Sequence, residues 1–304
     1  MSVPVPADRA ATVTATVTAT DRAAGYRPNR TLSFLTEFRR QGARRRTQFA
    51  LGFMILLPLI ILAAFTWNPG GGDNVEDDGD GFSSLIDIAT AGGPNFALFT
   101  LFVSSGFLLV VVVALFCGDA VASEASWGSL RYLLAVPVPR ARLLATKLLV
   151  ALSYSVLAIL LLAGTALLAG TISYGWEPLQ APVGGTLPPG EGVLRLLGVI
   201  GYISVTLLVV GSLAFLLSVS TDAPLGAVGG AVMIYIVSSI LDQISALGSI
   251  RDFLPTHFNE GYLGLLSSPI QTDDVARGTV GAVVYSTVLL SLAWWRFLRK
   301  DVVS

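Results

Sequence analysis

Residues present in single copy set the first limit on chemistry. The chain has one cysteine, Cys117, and one histidine, His257, whereas zinc held by protein ligands alone normally needs three or four such side chains. H-E-x-x-H therefore cannot occur, and G-x-S-x-G is absent. The only lysines, Lys147 and Lys300, lack the glycines of a G-x-x-x-x-G-K-[ST] phosphate loop. The acidic run NPGGGDNVEDDGDG carries Asp73, Glu76, Asp77, Asp78 and Asp80. It lacks the D-x-[DN]-x-[DN]-G spacing with a twelfth-position Glu, which favours a solvated loop over a calcium loop. No catalytic, cofactor-binding or metal residue emerges, and the chain reads as a non-enzyme. Asp242 stands apart because it lies within an apolar run, where charge is costly and usually functional. Its carboxylate either couples an ion to transport or is satisfied by a neighbouring helix or the outer interface.

The densest chemistry lies between two apolar runs, in DAVASEASWGSLRYLLAVPVPRARLLATK from Asp119 to Lys147. Gly128 and Pro137 can break and turn a helix. Trp127, Leu130, Tyr132 and Leu133 offer apolar anchors for a partner's groove. Glu124, Arg131, Arg140 and Arg142 offer charge-assisted contacts, to a partner or to one another. A connector this long and this decorated reads as a docking surface for a soluble protein.

The elements that must position these residues are membrane spans. Of 304 residues, 53% are apolar and 13% charged, with mean hydropathy +0.72; soluble domains carry roughly 25% charged residues. A net charge of -1 points to no nucleic-acid partner. Six apolar runs are each long enough to cross the bilayer: Phe49–Trp67, Phe96–Cys117, Leu143–Ser173, Leu194–Val219, Ala223–Leu247 and Thr279–Leu298. Spanning segments of this kind must be helical, because lipid offers no partner to backbone groups. The fold class is thus an all-α membrane protein. The third run is long enough to continue past the cytoplasmic membrane face.

With both termini inside, all but three of the 19 Lys and Arg residues (Arg195, Arg251 and Arg277) fall on the cytoplasmic side. Trp67, Trp176, Trp294 and Trp295 fall at span ends, as interfacial aromatics should. The expected localisation is the plasma membrane, multi-pass. Residues 1–28 contain TVTATVTAT and read as a disordered cytoplasmic tail, with no apolar core of a cleavable signal. Residues 29–48 spell an amphipathic helix: Leu32, Leu35 and Phe38 recur at helical spacing, with Arg39, Arg40 and Arg44–Arg46 toward anionic headgroups. Residues 49–304 form the transmembrane domain, with the connector at 118–147. Residues 248–278 are too apolar for a free loop and too interrupted by Pro255 and Gly261 for a seventh span. They read as short interfacial or re-entrant helices, with His257 in a hydrogen-bonding role. Small residues along the fifth run (Ala223, Ala227, Ala231; Gly226, Gly230) allow close helix packing, within the chain or between subunits.

The connector also resembles a known family. Glu124-x-x-x-Gly128-Ser129-Leu130-Arg131-x-Leu133-Leu134-x-x-Pro137-Val138-Pro139-Arg140, followed by Leu143–Leu144 and Lys147, is similar to the second-to-third-span connector of ABC-2 type transporter permeases. An Arg-rich helix leading to a first span with Pro58, six spans, and a helical segment before the last extend the likeness over roughly residues 31–300. The usual Pro-x-Ser-Arg ending is Pro-x-Pro-Arg here, which a turn tolerates. The short outer loops exclude subfamilies with a large external domain after the first span.

The resemblance implies an ABC-2, type V exporter-like permease fold and a subunit of an ATP-binding cassette exporter. Two permeases, identical or different, pair in the lipid bilayer, and each docks a separate P-loop ATPase that binds ATP and Mg2+. This chain itself takes no cofactor. Glu124, Trp127, Gly128, Leu130, Arg131, Pro137 and Arg140 are the expected docking residues. The second and fifth spans would line the pathway, with Phe99, Phe102, Phe107, Val232, Tyr235 and Asp242 as candidates. Their apolar character points to a hydrophobic or amphipathic cargo such as a drug, natural product or lipid. An ion-coupled secondary transporter or channel is the alternative, and would depend on Asp242 but not on the connector. A membrane anchor or sensor that recruits a cytoplasmic protein is a third reading, disfavoured by the lack of a sizeable external domain.

Overall fold

A computed structural model describes residues 33–67, 81–126, 139–180 and 185–299. Helix α1 (Phe34–Gly42) starts at Ser33, whose hydroxyl accepts from the Thr36 amide, and leads into α2 (Arg45–Trp67). Next come α3 (Gly81–Thr90), α4 (Gly93–Ser105), α5 (Leu108–Ser126) and α6 (Arg140–Tyr174). A two-residue hairpin pairs β1 (Leu179–Gln180) antiparallel with β2 (Thr186–Leu187) and leads to α7 (Pro189–Ser220). The chain continues through α8 (Pro224–Gln243), a 3-10 segment (Ser245–Phe253), α9 (Leu263–Leu266) and α10 (Asp273–Arg299).

Among the described residues, six helices are long and apolar enough to cross a membrane: α2, α5, α6, most of α7, α8 and α10. The chain is therefore a multi-pass, predominantly helical membrane protein. Helix α6 runs 35 residues, about 52 Å at 1.5 Å per residue, well beyond ~30 Å of hydrocarbon. It ends at Gly175, whose φ of +82° suits a residue without a Cβ.

The expected second span, Phe96–Cys117, is not one helix. It breaks at Gly106–Phe107 into α4 and α5. Ser105 there donates its hydroxyl to the Phe102 carbonyl, competing with the helical ladder. Gly106 adds a helix propensity about 1 kcal/mol poorer than alanine. The two halves share α6 and α7 as neighbours but differ in the rest: α4 also packs on α3, and α5 on α8. The outer loop expected over 68–94 is also not free throughout, because α3 occupies Gly81–Thr90 and packs on α4; its acidic stretch at 68–80 lies outside the described residues, as do residues 1–32.

Helix α5 is the hub. Its span is 78% buried, against 11% for α2 and 17% each for α8 and α10. The exposed apolar faces of those outer helices are what lipid covers. On α8 the small-residue stripe works inside the chain, with Ala227 and Ala231 fully buried and Val228 against Gly118 of α5. Where α5 and α7 cross, the buried Ser218 hydroxyl accepts from the Val121 and Ala122 amides at 3.1 and 2.9 Å. Ser218→Ala is expected to cost about 1 kcal/mol, read as a lower Tm of the purified protein.

Candidate functional site

At the end of the bundle opposite α1, a cavity of about 620 Å³ opens beside the break between α4 and α5. Its walls are Phe102, Val103, Ser105 and Gly106 from the break, Ile203, Thr206 and Leu207 from α7, and Tyr235, Ser239, Asp242 and Gln243 from α8. The segment after α8 closes it with Arg251, Thr256, His257, Asn259, Glu260 and Tyr262. Its volume lies within the ~300–1,000 Å³ typical of small-molecule sites.

Three helices fasten that closing segment. From α8, Ser238 pairs with Thr256 at 2.8 Å, Tyr235 accepts from Asn259 at 2.8 Å, and Asp242 meets His257 Nδ1 at 2.6 Å. From α7, Arg195 donates to the Leu265 and Ser267 carbonyls at 2.9 and 2.7 Å, and Tyr202 donates to the Phe258 carbonyl. From α10, Tyr285 donates to the Phe253 carbonyl. The expected short helices of 248–278 are thus one 3-10 segment and one four-residue helix, pinned down rather than loose.

Charge within the site is unevenly matched. Asp242 sits between His257 and Arg251, the latter at 3.6 Å, and His257 Nε2 also reaches Asp252 at 3.3 Å. Both imidazole nitrogens therefore face carboxylates. Glu260 is exposed at the cavity edge and forms no ion pair among the described residues. Burial raises the pKa of the Tyr262 phenol and the Glu260 charge adds to this, with Ser105 opposing, so the hydroxyl keeps its proton.

A second compartment of about 240 Å³ adjoins the first, sharing Phe102, Glu260 and Tyr262. Its remaining lining is Leu85 and Ile88 of α3, Asn95, Leu98 and Phe99 of α4, and Leu263. Asn95 is buried and clamps the N-terminal end of α4, donating to the Pro178 carbonyl at 3.1 Å and accepting from the Gln180 amide at 2.7 Å.

Of the pathway residues read from the sequence, Phe102, Tyr235 and Asp242 line the larger cavity, and Phe99 lines the smaller. Phe107 is 60% exposed and lines neither, while Val232 is partly buried against the core. The lining is more polar than an apolar pathway would have. Arg251, Asn259, Glu260 and Tyr262 were not singled out by chemistry. Only the unusual mixture of apolar and turn residues in 248–278 pointed to them.

At the other end, a buried ionic network gathers α1, α5 and α6. Lys147 Nζ lies 2.6 Å from Glu124 Oε1 and 3.1 Å from Glu37 Oε1. Arg40 reaches Glu124 at 2.8 Å, and Arg44 and Arg46 reach the two oxygens of Asp119 at 3.1 and 2.9 Å. Phe38 stacks on Tyr154, whose hydroxyl donates to the Phe38 carbonyl at 2.7 Å. Arg40, Arg44 and Arg46 thus meet carboxylates of the chain itself, while Arg39 and Arg45 stay exposed. Glu124, read as a docking residue, is 2% exposed and acts as an internal counter-ion. Arg140 opens α6 and is exposed; Trp127, Gly128, Leu130, Arg131 and Pro137 lie outside the described residues.

A family model described as protein of unknown function (DUF2705) matches residues 82–303, from α3 through α10. No curated protein matches the chain.

Proposed function

The chain belongs to the family described as protein of unknown function (DUF2705), and from that premise we propose that it is the membrane-spanning permease subunit of an ATP-binding cassette exporter. On this reading it adopts the ABC-2 permease fold, pairs with a second permease in the plasma membrane and keeps both termini in the cytoplasm. A separate P-loop ATPase binds ATP and Mg2+ and docks on the connector. The N-terminal helix lies at the inner membrane surface with Arg39 and Arg45 available to headgroups.

One observation carries the reading. The stretch between α5 and α6 has both of its ends locked into one buried ionic cluster, through Glu124 at the end of α5 and Lys147 near the start of α6. A push delivered to the connector would therefore move α5, α6 and α1 as a unit, and α5 begins directly after the Gly106 break, whose residues wall the far cavity. That is the mechanical linkage an ATPase-driven permease requires. The ion-coupled alternative would need Asp242 to release its partners, yet that carboxylate is held by both His257 and Arg251.

The test is purification of the tagged chain from its native membranes in mild detergent, followed by an ATPase assay on the complex. A stoichiometric ATPase is expected. Leu130→Asp/Arg131→Glu is expected to lose it, with an unchanged melting temperature as the sign that the fold survives. An intact, folded chain that brings down no ATPase overturns the reading.

A further inference from the structure

The two compartments at the far end differ in chemistry yet share a seam. The larger is walled by side chains that exchange hydrogen bonds and charge; the smaller is lined almost wholly by aliphatic and aromatic groups, with Asn95 turned to the hairpin. Phe102, Glu260 and Tyr262 stand at the seam, belonging to both linings. Such a division matches one class of molecule: a compact polar head joined to an apolar tail.

The sign of the head follows from the charges present. Asp242 and Glu260 of the larger lining, with Asp252 outside that lining but against His257 Nε2, face a single arginine, Arg251, and a single histidine, His257. Carboxylates therefore outnumber cations whether the imidazole carries one proton or two. Asp242 and Asp252 share those two cations, leaving Glu260 as the carboxylate without an ion-pair partner among the described residues. It stands where the polar and apolar compartments meet.

An independent observation marks the same spot. Tyr262 is 2% exposed, and its hydroxyl makes no hydrogen bond of acceptable geometry among the described residues, with Ser105 within electrostatic reach. Buried polar groups are nearly always partnered, and leaving one unsatisfied is costly. A ligand group that donates a hydrogen bond at the seam would supply the missing partner. Phe102, Tyr235 and Tyr262 also present aromatic rings around the cavity, and ring faces attract cations.

We propose that the two compartments together hold a cation-headed amphiphile, its ammonium or guanidinium group against the Glu260 carboxylate and the Tyr262 hydroxyl and its apolar tail between α3 and α4. The site deepens the exporter reading by naming its cargo class, and in that sense rests on it. Binding itself needs no ATPase, so the two can fail separately.

The experiment is isothermal titration calorimetry of the full chain in nanodiscs of neutral lipid, with empty discs subtracted. The probes are octylammonium, methylammonium and octyl sulfate. Octylammonium is expected to bind saturably, methylammonium at least about tenfold more weakly because its head has no tail to bury, and octyl sulfate not measurably. Glu260→Gln is expected to weaken octylammonium by about tenfold or more, the worth of a charge-assisted hydrogen bond. Glu260 is exposed, so an unchanged melting temperature will show that the fold survives the change. Ile88→Trp, which fills the apolar compartment from α3, is expected to reduce octylammonium to the affinity of methylammonium. Equal binding of octylammonium and octyl sulfate, or an unaltered affinity in Glu260→Gln, overturns the proposal. Amphiphile binding without a co-purifying ATPase would leave the site standing and remove the exporter reading; an ATPase without amphiphile binding would do the reverse.

Discussion

Lys147→Met is expected to destabilise the protein by about 3 kcal/mol, near the lower end of the range for breaking a buried ion pair. Methionine keeps the volume of the side chain and removes only its charge. The loss takes from Glu124 and Glu37, both nearly inaccessible to water, the buried cation they share. Arg40 still reaches both, but it is 43% exposed, and Arg44 stands 3.9 Å from Glu124. Those residual contacts keep the cost from rising further. The double variant Lys147→Met/Glu124→Gln removes the carboxylate charge together with its lysine partner and is expected to recover more than half of the loss. Both are read by thermal unfolding of the purified chain. Limited trypsin digestion adds a local readout, since cleavage within residues 39–46 should accelerate in the single variant as α1 detaches from α6. A single variant as stable and as protease-resistant as the parent would remove the network from any mechanical role.

What the sequence made legible was set by the range of the interactions involved. Five of the six apolar runs became one spanning helix each, because a run of ~18 apolar residues has few other ways to hide from water. The break in the remaining run was almost invisible, since apart from Thr100 only Ser104, Ser105 and Gly106 interrupt apolar residues that continue on both sides. Helix α3 was overshadowed by the acidic stretch before it. The ionic network could not be foreseen: Glu37 and Lys147 are 110 residues apart, and Arg40 and Glu124 84 apart. An arginine-rich segment before a first span obeys the topology rule whether or not carboxylates await it.

The candidate site shows the same division. Asp242 stood out as a charge within an apolar run, and His257 as a hydrogen-bonding residue; the fold joins the two at 2.6 Å. Glu260 and Tyr262 carried no such mark, because each is ordinary for a segment outside the bilayer. Their significance arises only when the α4–α5 break, α7 and α8 meet around them. A pathway inferred from apolar side chains on two spans thus becomes a cavity whose polar half comes largely from α8 and the segment after it.

The position of α4, and with it the apolar compartment, depends on a contact between helix backbones. Gly93→Ala is expected to cost about 1–3 kcal/mol through overpacking, and Gly93→Val more. A Cβ at Gly93 would overlap the Thr171 side chain and fall 2.8 and 2.9 Å from the Thr171 amide nitrogen and Cα. Neither of those backbone atoms can retreat, because Thr171 lies in the last turn of α6, where its carbonyl accepts from the Gly175 amide. The approach is reciprocal, with a Cβ at Gly170 falling 2.8 Å from the Phe96 Cβ. Small residues on both sides are what bring two helix axes this close. Gly164→Ala, also in α6 but with nothing within 4 Å, serves as the control; it is expected to be neutral or to stabilise by up to about 1 kcal/mol. Forcing α4 outward would also strain the Asn95 clamp on Pro178 and Gln180 and widen the space that Leu98 and Phe99 close. Gly93→Ala should therefore lower the Tm and weaken octylammonium binding together, while Gly164→Ala changes neither adversely. Equal melting temperatures for the two variants would mean that α4 can slide along α6, and that the compartment between α3 and α4 has no fixed shape for a tail to recognise.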